Sequence, residues 1–178
     1  MTPMPRRTLV ACLGNIFLGD DGFGVEVARR LEREDLPDGT RVTDYGIRGM
    51  HLAYDLAEGW DMTILVDAAP RGEDPGTVYV IEPERQPPAG EQAGGLAGNM
   101  LLDAHGMQPD VVLGMAGMLG AEAGQVLVVG CEPASVAEGI GLSEPVAAAV
   151  DEAARVVLGL VRATGGKAAN SSGVAAKE

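Results

Sequence analysis

Near-continuous apolar runs alternate along the chain with stretches in which apolar residues recur every three or four positions. The first kind appears at residues 7–13 (RTLVACL), 62–68 (MTILVDA) and 125–131 (QVLVVGC). This is the pattern of strands covered on both faces in a parallel sheet. RVTDYG (41–46) and TVYVIE (77–82) add two further strand signals. Helical periodicity is expected at 22–34, 49–57, 109–121 and 143–163. In the first of these, Val25, Val27, Ala28 and Leu31 form an apolar stripe, while Arg29, Arg30 and Glu32 face water. Ser143, followed by Glu144 and Pro145, is a good helix start, with serine as cap and proline in the first turn. Alternating strands and helices predict an α/β fold, a three-layer α/β/α sandwich. Its twisted, mostly parallel sheet has about five strands, with helices on both faces. One domain is expected over residues 1–163. The Pro-, Gly- and charge-rich stretch 82–99 reads as a long surface loop of the kind that is often functional. The small, polar tail at 164–178 is expected to be disordered.

Composition narrows the function classes. The chain of 178 residues carries a formal charge of −13, which argues against nucleic acid, because phosphate backbones demand Lys/Arg clusters. No apolar run approaches the ~20 residues of a membrane span, and the start shows no signal-peptide pattern. Cys12 and Cys131 both lie in apolar strand-like runs. They suit buried thiols in a reducing, cytoplasmic setting better than a disulfide.

The chemistry begins at residues 13–24, LGNIFLGDDGFG, where a strand turns into a helix. A dinucleotide fingerprint needs a glycine where Ile16 stands, and a P-loop needs Lys and Ser/Thr where Asp20 and Asp21 stand. Phosphate is therefore disfavoured. One carboxylate here is readily explained as a cap at a helix N-terminus, the role expected of Asp20. Two adjacent carboxylates repel unless a cation or proton intervenes. Gly14, Asn15 and Gly22 are expected to shape the turn. Asp67 ends a buried strand and would emerge at the same sheet edge as Asp21, although an aspartate capping the next turn is equally ordinary. His105, in LLDAHGMQPD, is one of two histidines and is flanked by small residues that allow close approach. Two aspartates and one imidazole make a borderline site for Zn, Ni or Fe, with open positions for substrate. Zincin and nucleophile-elbow motifs are absent. No serine sits in a nucleophile context, Cys131 reads as a structural thiol, and His51 as packing or surface.

The ordered motifs GNIFLGDDGFGVEVARRL, IRGMHLAYDL, TILVDAAPRGEDPGTVYVIE, LLDAHGM and VLVVGCEPASVAEGIGLSEPVAAAVDEAARVV resemble the NiFe-hydrogenase maturation endopeptidases. The resemblance spans nearly the whole chain. It implies a twisted, mostly parallel sheet flanked by helices. It also implies cleavage of a C-terminal extension from the hydrogenase large-subunit precursor after nickel insertion. The family's metal-contacting positions fall on Asp21, Asp67 and His105, with Asp21 and Asp67 as the catalytic carboxylates. Nickel would arrive in the substrate rather than as a tightly held cofactor. Either a carboxylate activates water or the metal polarises the carbonyl; the resemblance leaves both open. Alternatives are a nickel-dependent assembly chaperone that does not cleave, and a metallohydrolase acting on small substrates.

Overall fold

The computed structural model describes residues 4–82 and 124–165. The expected loop at 82–99 (beyond residue 82), the helix at 109–121 and His105 lie outside these residues. Five strands form one sheet: β1 (Thr8–Leu13), β2 (Thr40–Gly46), β3 (Met62–Ala68), β4 (Val78–Ile81) and β5 (Gln125–Cys131), in the order β2-β1-β3-β5-β4. β1 pairs in parallel with both β2 and β3, and β3 pairs in parallel with β5. Only β4 runs antiparallel, at the edge beside β5. The fold class is the one expected. The chain leaves β1 to one side for β2, then crosses to the other side for β3. This reversal makes the C-terminal ends of β1 and β3 a topological switch point, where open α/β sheets bind ligands.

The apolar runs of β1 and β3 are buried throughout, because helices cover both faces. Alternation divides the side chains between two cores. Val10, Cys12, Ile64, Val66 and Val129 pack with α1 (Phe23–Leu31) and α3 (Glu144–Gly165). Leu9, Ala11, Leu13, Leu65 and Val128 pack instead with Leu52 and Leu56 of α2 (Gly49–Leu56), and with Tyr45 and Trp60. In α1 the expected stripe of Val25, Val27, Ala28 and Leu31 is buried. Helix α3 runs to Gly165, and the expected disordered tail beyond it lies outside the described residues. Cys12 and Cys131 are free and buried. Burial raises the Cys131 thiol to about 11, so it stays protonated as a packing group. No helix among the described residues is long and apolar enough to cross a membrane.

One glycine sets the height of α1 on the sheet. A Cβ on Gly24 would lie 2.0 Å from the Leu13 carbonyl oxygen and 2.7 Å from that of Val66. The helix start therefore sits directly over the ends of β1 and β3, and the residues before it are delivered to the switch point.

Candidate active site

After β1 the chain makes a tight turn through Gly14–Leu18 and a single 3-10 turn, Gly19–Gly22, before α1 begins. The turn is fixed by hydrogen bonds that use the side chains singled out in the sequence. Asn15 Oδ1 accepts from Phe17 N (3.0 Å), Leu18 N donates to Asn15 O (3.1 Å), and Asn15 N donates to Asp21 Oδ2 (2.9 Å). Gly14 has φ +146°, and a Cβ there would stand 2.0 Å from the Asp21 carbonyl oxygen. The glycine makes room for protein backbone.

The two adjacent aspartates do different things. Asp20 is only 1% exposed. Its Oδ2 accepts from Ala134 N (2.8 Å), Ser135 N (3.1 Å) and Ser143 Oγ (2.8 Å), and its Oδ1 from Ser143 N (2.6 Å). The expectation that Asp20 caps the helix it precedes is corrected here. No side chain caps either the 3-10 turn or α1, and the Asp20 carboxylate instead closes the loop between β5 and α3. Burial works to raise its pKa, but the hydrogen bonds from Ser143, Ser135 and Ala134 prevail and hold it below 3.8. Asp20 is therefore ionised at neutral pH and fully occupied in structure.

Asp21 is half-buried and lies at the switch point, on the turn that follows β1. Asp67, 7% exposed, is the penultimate residue of β3, the strand that pairs with β1. Its pKa is raised well above 3.8, first by burial and then by the negative charge of Asp21. A hydrogen bond from the Ala68 backbone opposes both effects. Among the described residues Asp67 Oδ1 is the buried side-chain oxygen that no hydrogen bond reaches. Native proteins rarely leave such a group unpaired, and a carboxyl in this state takes up a proton or a cation.

Behind Asp67 the chain is held from two sides. Tyr79 on β4 passes its ring over Gly130, the β5 partner of Asp67, and donates from its hydroxyl to Ala69 O (2.6 Å). Glu132, buried just after β5, accepts from Arg71 N (2.6 Å). Neither support was visible in the sequence, because the pairs meet only once β4 and β5 are aligned. His51 is exposed on α2, at a shallow cavity with Tyr45, Arg48 and Tyr54. No group of three or more His, Cys, Asp or Glu side chains able to hold a metal ion occurs among the described residues. Of the three expected ligands, Asp21 and Asp67 both lie at the C-terminal edge of the sheet, and His105 lies outside the described residues.

A pair of carboxylates at the switch point of an α/β/α sheet, one of them buried and underbonded, suits hydrolysis of a polar bond or the grasp of a cation. Residues 25–160 match the family model of the hydrogenase maturation proteases. The chain belongs to that family, and its enzyme class is that of a peptidase. The hydrogenase 2 maturation protease of Escherichia coli is 32% identical over 161 residues, 89% of this chain and 93% of that protein. The hydrogenase expression/formation protein HupM of Azotobacter chroococcum mcd 1 is 34% identical over 167 residues, 93% of this chain and 76% of that protein. The hydrogenase maturating endopeptidase HybD from E. coli shares the fold with a TM-score of 0.68 at 29% identity, covering 89% of this chain and 94% of that one.

Proposed function

We propose that this protein removes the C-terminal extension of a NiFe-hydrogenase large-subunit precursor, using nickel already seated in that substrate as its recognition element. Asp21, Asp67 and His105 complete the coordination of the substrate's nickel and bring the scissile bond to the sheet edge. The observation that carries this reading is the buried Asp67 oxygen without a hydrogen bond, on the strand beside the one that delivers Asp21. Burial and the Asp21 charge favour the protonated form of Asp67, and an arriving divalent ion favours the ionised form. Metal occupancy of the substrate then becomes the condition for productive binding. In this reading Asp21, half-buried and accepting from Asn15 N through Oδ2, takes a proton from the attacking water, the alternative being polarisation of the carbonyl by the metal. The buried free thiols of Cys12 and Cys131 fit a reducing, cytoplasmic compartment.

The test is incubation of the protein with nickel-loaded and nickel-free precursor, following the precursor's C-terminus by mass spectrometry. Loss of the extension from the loaded form alone is the expected result. Cleavage of both forms would refute nickel recognition, and binding with no change in mass would point to an assembly chaperone. Stoichiometric metal in the purified protein, with turnover of small amides, would favour the metallohydrolase.

A further inference from the structure

Six of the nine exposed large hydrophobic side chains among the described residues lie at one edge of the sheet: Ile16, Phe17, Ile47, Met50, Val136 and Ile140. Each follows the C-terminal end of a strand: the first two after β1, the next two after β2, and the last two after β5. These strands are mutually parallel or linked through parallel neighbours, so all six gather at the edge that carries Asp21 and Asp67. Phe17 is 62% exposed and Ile140 is 81% exposed. Neither contributes much to the core, and scattered surface apolars do not ordinarily collect around one site.

The patch is also rigid. Gly139 N donates to Phe17 O (2.9 Å), Gly19 N to Gly139 O (2.9 Å) and Asp20 N to Ser135 O (3.0 Å). The Asp20 carboxylate adds its bonds to Ala134, Ser135 and Ser143. Two loops distant in sequence are thereby fastened into one platform with Phe17 and Ile140 at its crest. Pre-organised apolar anchors beside a reacting centre are how protein surfaces obtain affinity without an ordering cost.

We infer that this platform is the docking surface for the folded body of the protein substrate, through a face of that substrate that is apolar and carries basic residues. The inference rests on the proposed function for the identity of the substrate. The basic component follows from charge: Glu138 and Glu144 are exposed on the β5–α3 segment, and the chain as a whole is at −13. The same charges disfavour a second copy of this chain as the occupant, since acidic rims would then face each other.

The test uses Ile140→Glu and Phe17→Ser in the full chain, with Ile140→Met as the conservative control. At these exposures the substitutions should leave the melting temperature unchanged. Binding is measured by titrating labelled, nickel-loaded precursor, and processing by mass spectrometry. Ile140→Glu and Phe17→Ser should each weaken precursor binding by about tenfold or more, and Ile140→Met should bind as wild type. KM should rise in parallel, with kcat changing by less than about twofold. A synthetic peptide of the C-terminal extension should bind all four proteins equally. Wild-type affinity in both disruptive variants overturns the inference. So does an equal loss of peptide binding, which would make the patch a peptide subsite, or a wild-type dimer dispersed by Ile140→Glu in sedimentation. If the wild type binds precursor without cutting it, the proposed function fails while the binding arm still decides the docking surface. If the wild type does not bind precursor, the docking surface is refuted.

Discussion

Asp20→Asn isolates the structural half of the aspartate pair. The carboxylate accepts four hydrogen bonds, from Ala134 N, Ser135 N, Ser143 N and Ser143 Oγ. An asparagine in the same rotamer, with its oxygen in place of Oδ2, keeps three of these as neutral bonds and turns its NH2 toward the Ser143 N–H. The bond lost there was to a charged group, about 1.5–3 kcal/mol, and each of the other three weakens by up to ~1 kcal/mol. Adjustment of the exposed loop recovers part of this, so we expect a net loss of about 3 kcal/mol, or roughly 6–12 °C in melting temperature for a domain of this size. The pH dependence carries a definite sign. The folded-state pKa of Asp20 lies below 3.8, so its stabilisation is complete above that value and disappears as pH falls through the folded pKa. Urea denaturation followed by circular dichroism should show the full difference between wild type and variant at about pH 7, narrowing below about pH 4. Hydrogen exchange should show the amides of Ala134, Ser135 and Ser143 losing protection. A difference under ~1 kcal/mol, or one that is the same at both pH values, would refute the assignment of Asp20 as the ionised tie of this loop.

Other perturbations separate the remaining roles. Gly24→Ala places a methyl 2.0 Å from the Leu13 oxygen and 2.7 Å from the Val66 oxygen; both are backbone atoms, so we expect a loss of about 3 kcal/mol or more, read by the same denaturation assay, or failure to fold. Asp67→Asn should abolish processing, and it should also stabilise the protein with a distinctive pH profile. The folded pKa of Asp67 is raised above 3.8, so its contribution is best below that value and worsens as pH rises through the folded pKa. Urea midpoints should therefore favour the variant at about pH 8 and converge at about pH 4; a variant less stable at the higher pH contradicts this. The guanidinium groups of Arg7 (4.7 Å) and Arg41 (4.6 Å) both lie over the Trp60 ring. Trp60→Leu removes these contacts, the Nε1 hydrogen bond to Asp55 O (2.8 Å) and part of a buried ring, so it should lose about 2–4 kcal/mol by urea denaturation, with no change in processing.

Sequence periodicity carried the sheet, because β1, β3 and β5 are covered on both faces and must be apolar at nearly every position. It placed Asp21 and Asp67 at one edge for the same reason: Asp67 is near the C-terminal end of β3 and Asp21 lies in the turn after β1, and parallel strands end on the same side of the sheet. Strand order was not legible, since nothing local tells β5 to lie beside β3 instead of at the other edge. The role of Asp20 is not legible in the sequence, because a carboxylate at a helix start has a local explanation ready, whereas its actual partners lie 114 to 123 positions away. Glu132 and Tyr79 are equally silent in the sequence: each supports the residues after Asp67 across the sheet, and neither belongs to a motif.

The division of labour between Asp20 and Asp21 is forced by their backbone. Consecutive residues in a 3-10 turn are about 120° apart around its axis, so two adjacent side chains cannot serve the same site. Once Asp20 is directed into the β5–α3 loop and consumed by its amides, Asp21 is turned toward the switch point, where Asp67 feels its charge. The hydrogen bonds at Asp20 thus hold Asp21 in register as well as closing a loop. Loosening them should perturb processing even though Asp20 contacts no reacting atom. On that reasoning Asp20→Asn, assayed where it remains folded, should lose activity partly and Asp21→Asn entirely. Equal and complete loss in both would mean that Asp20, too, reaches the substrate.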